Sequence, residues 1–76
     1  MELQGFIEKF CQELEIEDLE QVNGDTEFHQ LDEWSSLAGL TIMGFCLDAY
    51  NVTITADEIR NTETIEELFN LVKSKV

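Results

Sequence analysis

The sequence predicts an all-α fold, a small four-helix bundle with a long first loop and a short third helix. Strong helix formers such as Glu, Leu and Lys dominate both ends of the chain, where apolar residues recur at helical spacing. Proline is absent from all 76 residues. Apolar residues make up 43% of the chain, too large a share for a disordered protein even at a net charge of −13. We expect a single domain over residues 1–76.

The first helix is predicted over residues 2–14, and a long acidic connection follows it. Apolar positions of the helix recur at i, i+3, i+4 and i+7, at Leu3, Phe6, Ile7, Phe10, Cys11 and Leu14. Gly24, between Asn23 and Asp25, marks a turn in the connection. We expect the apolar residues of this loop to hold it against the core, namely Leu19, Val22, Phe28 and Leu31. Trp34 is interpreted as an anchor between the loop and the bundle.

The second helix is predicted from Ser36 to Tyr50, with Ser35 as its N-cap, because a serine oxygen can accept an unpaired amide of the first turn. A short third helix is predicted near residues 56–60. Thr64 followed by Glu67 has the capping-box spacing and predicts the start of the last helix. The apolar stripe of that helix consists of Ile65, Leu68, Phe69 and Val72.

The second helix carries two apolar faces. At about 100° per residue, one side gathers Ile42, Met43, Cys46, Ala49 and Tyr50. The nearly opposite side gathers Leu37, Leu40, Gly44 and Leu47, with Thr41 and Asp48 beside them. So small a protein can hardly bury both faces. Either the long first loop covers the second face, or that face is exposed and binds a partner protein.

The chain is strongly acidic, with 17 Asp and Glu against 4 Lys and Arg, and this charge limits which kinds of molecule it is expected to bind. A nucleic-acid backbone and an anionic membrane surface both require clustered cations, so we expect neither as a partner. The apolar stretch of the second helix is too short for membrane insertion. We therefore expect a monomer whose partners are proteins with basic patches.

The cysteines and the N-terminus favour a cytoplasmic protein. Cys11 and Cys46 lack metal or redox spacing, so we interpret both as reduced core residues. The N-terminal segment has an acid where a signal peptide has positive charge. An enzyme is not expected, because no base is placed by sequence near a serine or a cysteine, and the only histidine, His29, is interpreted as an ordinary surface residue. No metal site is expected either, since a calcium loop centred on Gly24 lacks its terminal ligands.

One stretch, WSSLAGLTIMGFCLDAYNVTI at residues 34–54, carries a spaced pattern. Its elements are Ser36-Leu37, followed by Leu40, Leu47, Tyr50 and Ile54, and then the segment TIEEL. In this pattern the chain resembles the acyl carrier protein family, the phosphopantetheine-attachment domains, from about Phe28 to the C-terminus. Many free-standing members read Trp-Asp-Ser-Leu-Ala where this chain has Trp34 to Ala38. Ser35 replaces the aspartate of that motif.

The resemblance implies a bundle of acyl-carrier type and a covalent cofactor, 4′-phosphopantetheine. It implies that a phosphopantetheinyl transferase, with Mg²⁺, moves this group from coenzyme A to the Ser36 hydroxyl. The arm would hold an acyl or aminoacyl group as a thioester and present it to acyl-activating, acyl-transferring or condensing enzymes of a biosynthetic pathway, such as fatty acid or polyketide biosynthesis. The surface expected to meet these enzymes consists of Leu37, Leu40, Thr41, Leu47 and Asp48. The residues assigned to the core, and to any space for part of the cargo, are Ile42, Met43, Cys46, Tyr50 and Ile54.

Two alternatives follow from the departure at Ser35. Attachment could use Ser35, although Ser36 is preferred because it directly precedes Leu37 and keeps the later spacing in register. The change could also mark loss of modification. The chain would then be a degenerate, unmodified carrier-fold interaction module that binds a protein through the apolar face of helix 2.

Overall fold

Four α-helices and two single 3-10 turns make up the computed structural model, which describes residues 2–76. The helices are α1 (Leu3–Glu13), α2 (Ser36–Tyr50), α3 (Ala56–Asn61) and α4 (Ile65–Lys75). Within those residues the chain forms no β-strand, and extended pairing is limited to one isolated bridge between Glu27 and Thr64. The predicted small all-α bundle, with its long first loop and short third helix, is confirmed.

The core lies between α1, α2 and α4 and is rich in aromatic rings. The ring of Phe6 contacts those of Phe45, Tyr50 and Phe69, with centroids 5.6–6.1 Å apart. Each fully buried phenylalanine contributes roughly 1.5–3 kcal/mol to folding. Cys11 and Cys46 are free and buried among these residues, as expected.

Hydrogen bonds hold the long first loop against α4 and against the end of α3. The carbonyls of Gly24 and Thr26 accept the amides of Glu66 and Ile65, at 2.9 and 3.1 Å. These two amides begin α4 and have no partner within their own helix, so the loop acts as a cap for α4. Gly24 suits this close approach, because a Cβ there would come within 3.2 Å of the side chains of Leu3 and Glu66.

His29 makes the second attachment of the loop, to the end of α3. Its Nε2 lies 3.1 Å from the carbonyl of Ile59 and 2.9 Å from that of Thr62. Carbonyls only accept hydrogen bonds, so Nε2 carries the proton. The ring also packs against Phe28 and Trp34. His29 is exposed, as expected of a surface residue, but it also holds the loop to the end of α3.

The apolar residues of the loop follow the prediction with one exception. Val22 and Phe28 are buried, and Leu31 is partly buried against the core. Leu19 is 44% exposed, so its predicted core position is wrong. It lies on a three-residue 3-10 turn without a buried residue, and Ile16 fills the neighbouring core position instead.

One detail of the later helices differs from the prediction, and a second adds to it. Thr64 Oγ1 accepts the amide of Glu67 at 3.1 Å, but the Glu67 carboxylate contacts the Thr64 hydroxyl rather than its backbone, so only half of the expected capping box forms. Ala49, which the helical projection groups with Ile42 and Cys46, is exposed, unlike those two residues. Phe45 is buried on that side of α2, and Ala49 lines a shallow groove with polar side chains of α1.

Candidate functional site

The first turn of α2 gives its two serines different roles. Ser35 has an extended backbone, and its Oγ accepts the amide of Ala38 at 3.3 Å, so Ser35 is the N-cap residue. Its carbonyl accepts the amide of Gly39 at 3.3 Å. Ser36 is the first helical residue and is exposed. Within residues 2–76 the Ser36 hydroxyl has no hydrogen-bond partner, so it remains free to react.

The electrostatic setting of Ser36 favours an anion. The first-turn amides and the positive end of the helix dipole lie at this end of α2. No acidic residue lies in that first turn, whereas Asp57 and Glu58 lie in the first turn of α3. The acids nearest in sequence, Asp32 and Glu33, precede the helix and are exposed.

Both serines line a groove of about 460 Å³ that is open to solvent. One wall is α2, the second is α3, and the end of the first loop forms the third. The polar residues at its edge are Ser35, Ser36, His29 and Arg60, and the apolar walls include Trp34, Leu40, Met43 and Ile59. The groove can therefore hold an apolar group next to the Ser36 hydroxyl.

Trp34 is a rigid wall of this groove. Its ring stacks parallel on Phe10, at an interplanar angle of 2°, and its edge contacts Phe28 with centroids 4.8 Å apart. The expected anchoring role of Trp34 is confirmed. Across the groove, Gly39 has no side chain, and a Cβ there would come 3.9 Å from Trp34 Cζ2. The glycine therefore leaves the space in front of the indole open.

The outer face of α2 is exposed. Leu37, Leu40 and Leu47 are 73%, 61% and 53% exposed, and Thr41 and Asp48 beside them are exposed as well. The first loop runs elsewhere, to α3 and α4, and does not cover these leucines. The second apolar face is therefore exposed rather than covered by the first loop, and its binding of a partner protein stays a prediction.

The residues assigned to a core and cargo space divide into two groups. Ile42, Cys46 and Ile54 are buried, and their neighbours are other core residues. Met43 and Tyr50 are half-buried, and Met43 lines the groove beside Ser36. Burial raises the pKa of the Cys46 thiol to about 11, so this thiol is poorly nucleophilic.

His29, Gly39 and Arg60 are among the groove residues that were not predicted as site residues. Arg60 forms an exposed ion pair with Asp57 at 3.0 Å and extends over the groove edge from α3. The sequence signals for them are weak, because a lone histidine, a mid-helix glycine and a surface arginine each occur for many reasons. Gly39 lies within one turn of Ser36 on α2, whereas the path of the loop brings His29 to the groove and the packing of α3 beside α2 brings Arg60.

The part of the chain that the structure describes contains no helix long and apolar enough to cross a membrane. The same residues hold no cluster of three His, Cys, Asp or Glu side chains that could bind a metal ion. No protein-family model, curated protein or solved structure matches this chain.

Proposed function

We propose that this protein is an acyl carrier protein that carries an acyl or aminoacyl group as a thioester on a 4′-phosphopantetheine arm attached to Ser36. One observation carries the proposal. The free, exposed hydroxyl of Ser36 lies at the helix start, at the mouth of an apolar groove and beside exposed leucines. The resemblance of residues 34–54 to the family motif supports the same residue. The proposed bundle is of acyl-carrier type and acts in the cytoplasm.

The residues around Ser36 fit the chemistry of this cofactor. When bound, the arm supplies the thiol that holds the cargo. Its phosphate would lie at a helix start without a neighbouring acid in the first turn, a setting that favours phosphate. The groove volume is within the range of small-molecule sites, about 300–1,000 Å³. Its apolar walls would shelter part of the arm or cargo from water.

The exposed leucines of α2 are the proposed surface for partner enzymes. These enzymes are a phosphopantetheinyl transferase and acyl-activating, acyl-transferring or condensing enzymes. The surface consists of Leu37, Leu40, Thr41, Leu47 and Asp48, all exposed. The net charge of −13 would steer basic surfaces toward it.

Ser35 is proposed to cap the helix rather than to carry the arm. Its Oγ already accepts the amide of Ala38, and esterification would disturb that bond. A serine keeps the capping function of the aspartate that it replaces. The arrangement leaves Ser36 as the hydroxyl that a transferase can reach.

The test is the intact mass of the protein after incubation with coenzyme A, Mg²⁺ and a broad-specificity phosphopantetheinyl transferase. We expect the gain of one phosphopantetheine in the unchanged protein and in Ser35→Ala, and no gain in Ser36→Ala. Circular dichroism of each variant checks that it is folded. A gain lost only in Ser35→Ala would move the attachment site by one residue.

The second candidate function is a protein-binding module that carries no arm. The specific observation in its favour is that the exposed leucine face does not depend on either serine, while Ser35 departs from the family aspartate. A folded protein that gains no mass with several transferases would favour this function. In neither case do we propose that the protein itself is an enzyme.

A further inference from the structure

The exposed face of α2 has a glycine at its centre. On a helix surface the neighbours of residue 44 are those three and four positions away, Leu40, Thr41, Leu47 and Asp48. All four are exposed, and Gly44 is exposed between them. A Cβ at Gly44 would meet nothing within 4 Å. Gly44 therefore forms a notch that is open to solvent and lies between Leu40 and Leu47.

Nothing within residues 2–76 requires glycine at this position. Its backbone is helical, without a positive φ, so the conformational freedom of glycine is unused. No neighbouring element approaches closely enough to exclude a side chain. Glycine within a helix is less favourable than alanine. Gly44 thus makes the helix less stable than alanine would, and no contact within the described residues requires the glycine.

The spacing of the exposed face is that of a helix-pairing seam. Leu37, Leu40, Gly44 and Leu47 follow one another at intervals of three, four and three residues. Apolar residues in this rhythm form the contact stripe between two helices. In such a stripe the leucine side chains project from the helix surface. A glycine leaves a gap between them, into which a side chain of the opposite helix can pack.

We propose that this seam, Leu37–Leu40–Gly44–Leu47, binds one α-helix of a different protein, with a large apolar side chain of that helix seated in the notch at Gly44. The proposal deepens the proposed function, because it states what kind of element a partner presents to this face. It rests on the proposed function in one respect, namely that the exposed face of α2 binds partner proteins. It requires no modification of Ser36.

Charge determines which helix fits and argues against a second copy of this chain. The helix α2 contains no Lys or Arg, Asp48 borders the notch, and Asp32 and Glu33 precede the helix. A partner helix with Lys or Arg beside its apolar stripe would be complementary. Two copies would each bring a net charge of −13 and the same acids to the contact.

The test uses a synthetic amphipathic helical peptide with leucines at heptad spacing, lysines on both flanks and either leucine or alanine at its centre. Binding to the purified protein is measured by fluorescence anisotropy, and side-chain methyl resonances of the protein show where the peptide lies. We expect the central-leucine peptide to bind more tightly. It should shift the methyl signals of Leu37, Leu40 and Leu47.

The decisive protein variants are Gly44→Ala and Gly44→Leu, with Gly5→Ala in α1 as the matched control. Gly5 is also a helical glycine whose Cβ would meet nothing within 4 Å. Both alanine variants should raise the Tm, because alanine favours the helix. Filling the notch should also weaken peptide binding, by about tenfold or more in Gly44→Leu. Gly5→Ala should leave binding unchanged.

Three results would overturn the proposal. They are equal affinity of Gly44→Leu and the unchanged protein, no binding of either peptide, and methyl shifts elsewhere on the surface. Sedimentation that shows dimers in the unchanged protein but not in Gly44→Leu would assign the seam to a second copy and overturn it as well. The measurement is repeated on Ser36→Ala, where binding should persist. A failure of phosphopantetheine transfer would therefore not overturn peptide binding at the seam. A failure of peptide binding would likewise not overturn attachment at Ser36.

Discussion

At the scale of single residues, the start of α2 separates a capping serine from an exposed one without a hydrogen bond. The Oγ of Ser35 is committed to the amide of Ala38, while Ser36 places its hydroxyl outside the helix. Ser35 has an extended backbone, so its Oγ can turn back to an amide of the first turn, whereas Ser36 is already helical. This difference in backbone conformation decides which oxygen is held and which is free. The assignment to Ser36 therefore has a geometric basis besides the family pattern.

Glu15 is a residue-scale feature that predicts a gain in stability. It follows the C-cap of α1 with φ at 57°, in the left-handed region. This conformation lets the amide of Ile16 bond to the carbonyl of Cys11 at 2.8 Å, which closes the helix. A side chain costs roughly 1 kcal/mol in this region, and glycine avoids the cost. We expect Glu15→Gly to raise the free energy of unfolding by about 1 kcal/mol in urea titrations.

Asn51 is the matched control for Glu15→Gly. It ends α2 with φ at 56°, but asparagine tolerates this conformation better than glutamate. The gain for Asn51→Gly should therefore be smaller. A loss of stability in Glu15→Gly would show that the glutamate side chain contributes more than its backbone conformation costs.

Residue roles were predictable from sequence where a local rule determines them. The capping of α2 by Ser35 and the burial of Cys11 and Cys46 follow from residue type and helical spacing alone. The position of Leu19 was not predictable, because it depends on which side chain of another element fills the neighbouring space. The same holds for His29, whose two acceptors are 30 and 33 residues away.

At the scale of elements, α3 depends on one carboxylate at its start. Glu58 Oε1 accepts the amide of Thr55, and Thr55 Oγ1 accepts the amide of Glu58, so a full capping box forms. The same carboxylate pairs with Lys75 of α4 at 2.7–2.8 Å. Lys75 also donates to the carbonyl of Thr53. A six-residue helix that would be unstable alone is thereby fixed to the end of α4.

Glu58→Gln should reduce both the stability of the protein and its sensitivity to acid. The hydrogen bond and charge of Lys75 hold the pKa of Glu58 below its ordinary value of 4.5. Because the folded state lowers this pKa, the carboxylate stabilises the protein above pH 4.5, and the contribution is lost as the pH falls below that value. We expect a lower Tm at pH 7 in Glu58→Gln and a smaller drop in Tm on acidification.

Asp57→Asn provides the control for this measurement. Asp57 lies in the same first turn and forms an ion pair with Arg60, but both side chains are mostly exposed. Such pairs contribute about 0–1 kcal/mol. An equal loss of Tm in the two variants would mean that the contact with Lys75 adds nothing beyond a negative charge at the helix start.

Helices were more predictable than their arrangement. The bounds of α2 follow from the Ser35 cap and the nearly uncharged, mostly apolar run after it, and the expected range 36–50 is the observed one. The capping box of α3 was missed, because so short a helix gives little periodicity to search. The groove was not predictable as a volume. Its walls come from the loop at His29 and Trp34, from Gly39 and Met43, and from Ile59, and no local pattern relates these segments.

At the scale of the whole molecule, the excess of acids works against the folded state. The chain has 17 Asp and Glu against 4 Lys and Arg, and the described residues form two ion pairs. Most of the described carboxylates therefore have no cation within ion-pair distance. Salt screens the repulsion between carboxylates. We expect the Tm to rise by roughly 5 °C between about 0.02 M and about 0.5 M sodium chloride, measured by calorimetry.

The salt effect has an internal control in the Glu58–Lys75 contact. Screening weakens that attraction as well, so Glu58→Gln should gain slightly more from salt than the unchanged protein does. A Tm that is flat or falls with salt would show that the few attractive pairs outweigh the overall repulsion.

The attachment of the first loop to α4 also determines how the molecule opens. The first two amides of α4 donate to Thr26 and Gly24, about forty residues earlier in the chain. These amides exchange with solvent deuterium only when that contact breaks. Because the turn at residues 24–26 and the start of α4 share the contact, they form one cooperative opening unit. The exchange rates of the Ile65 and Glu66 amide protons thus measure how often the turn at residues 24–26 detaches from α4, although that turn is far from them in sequence.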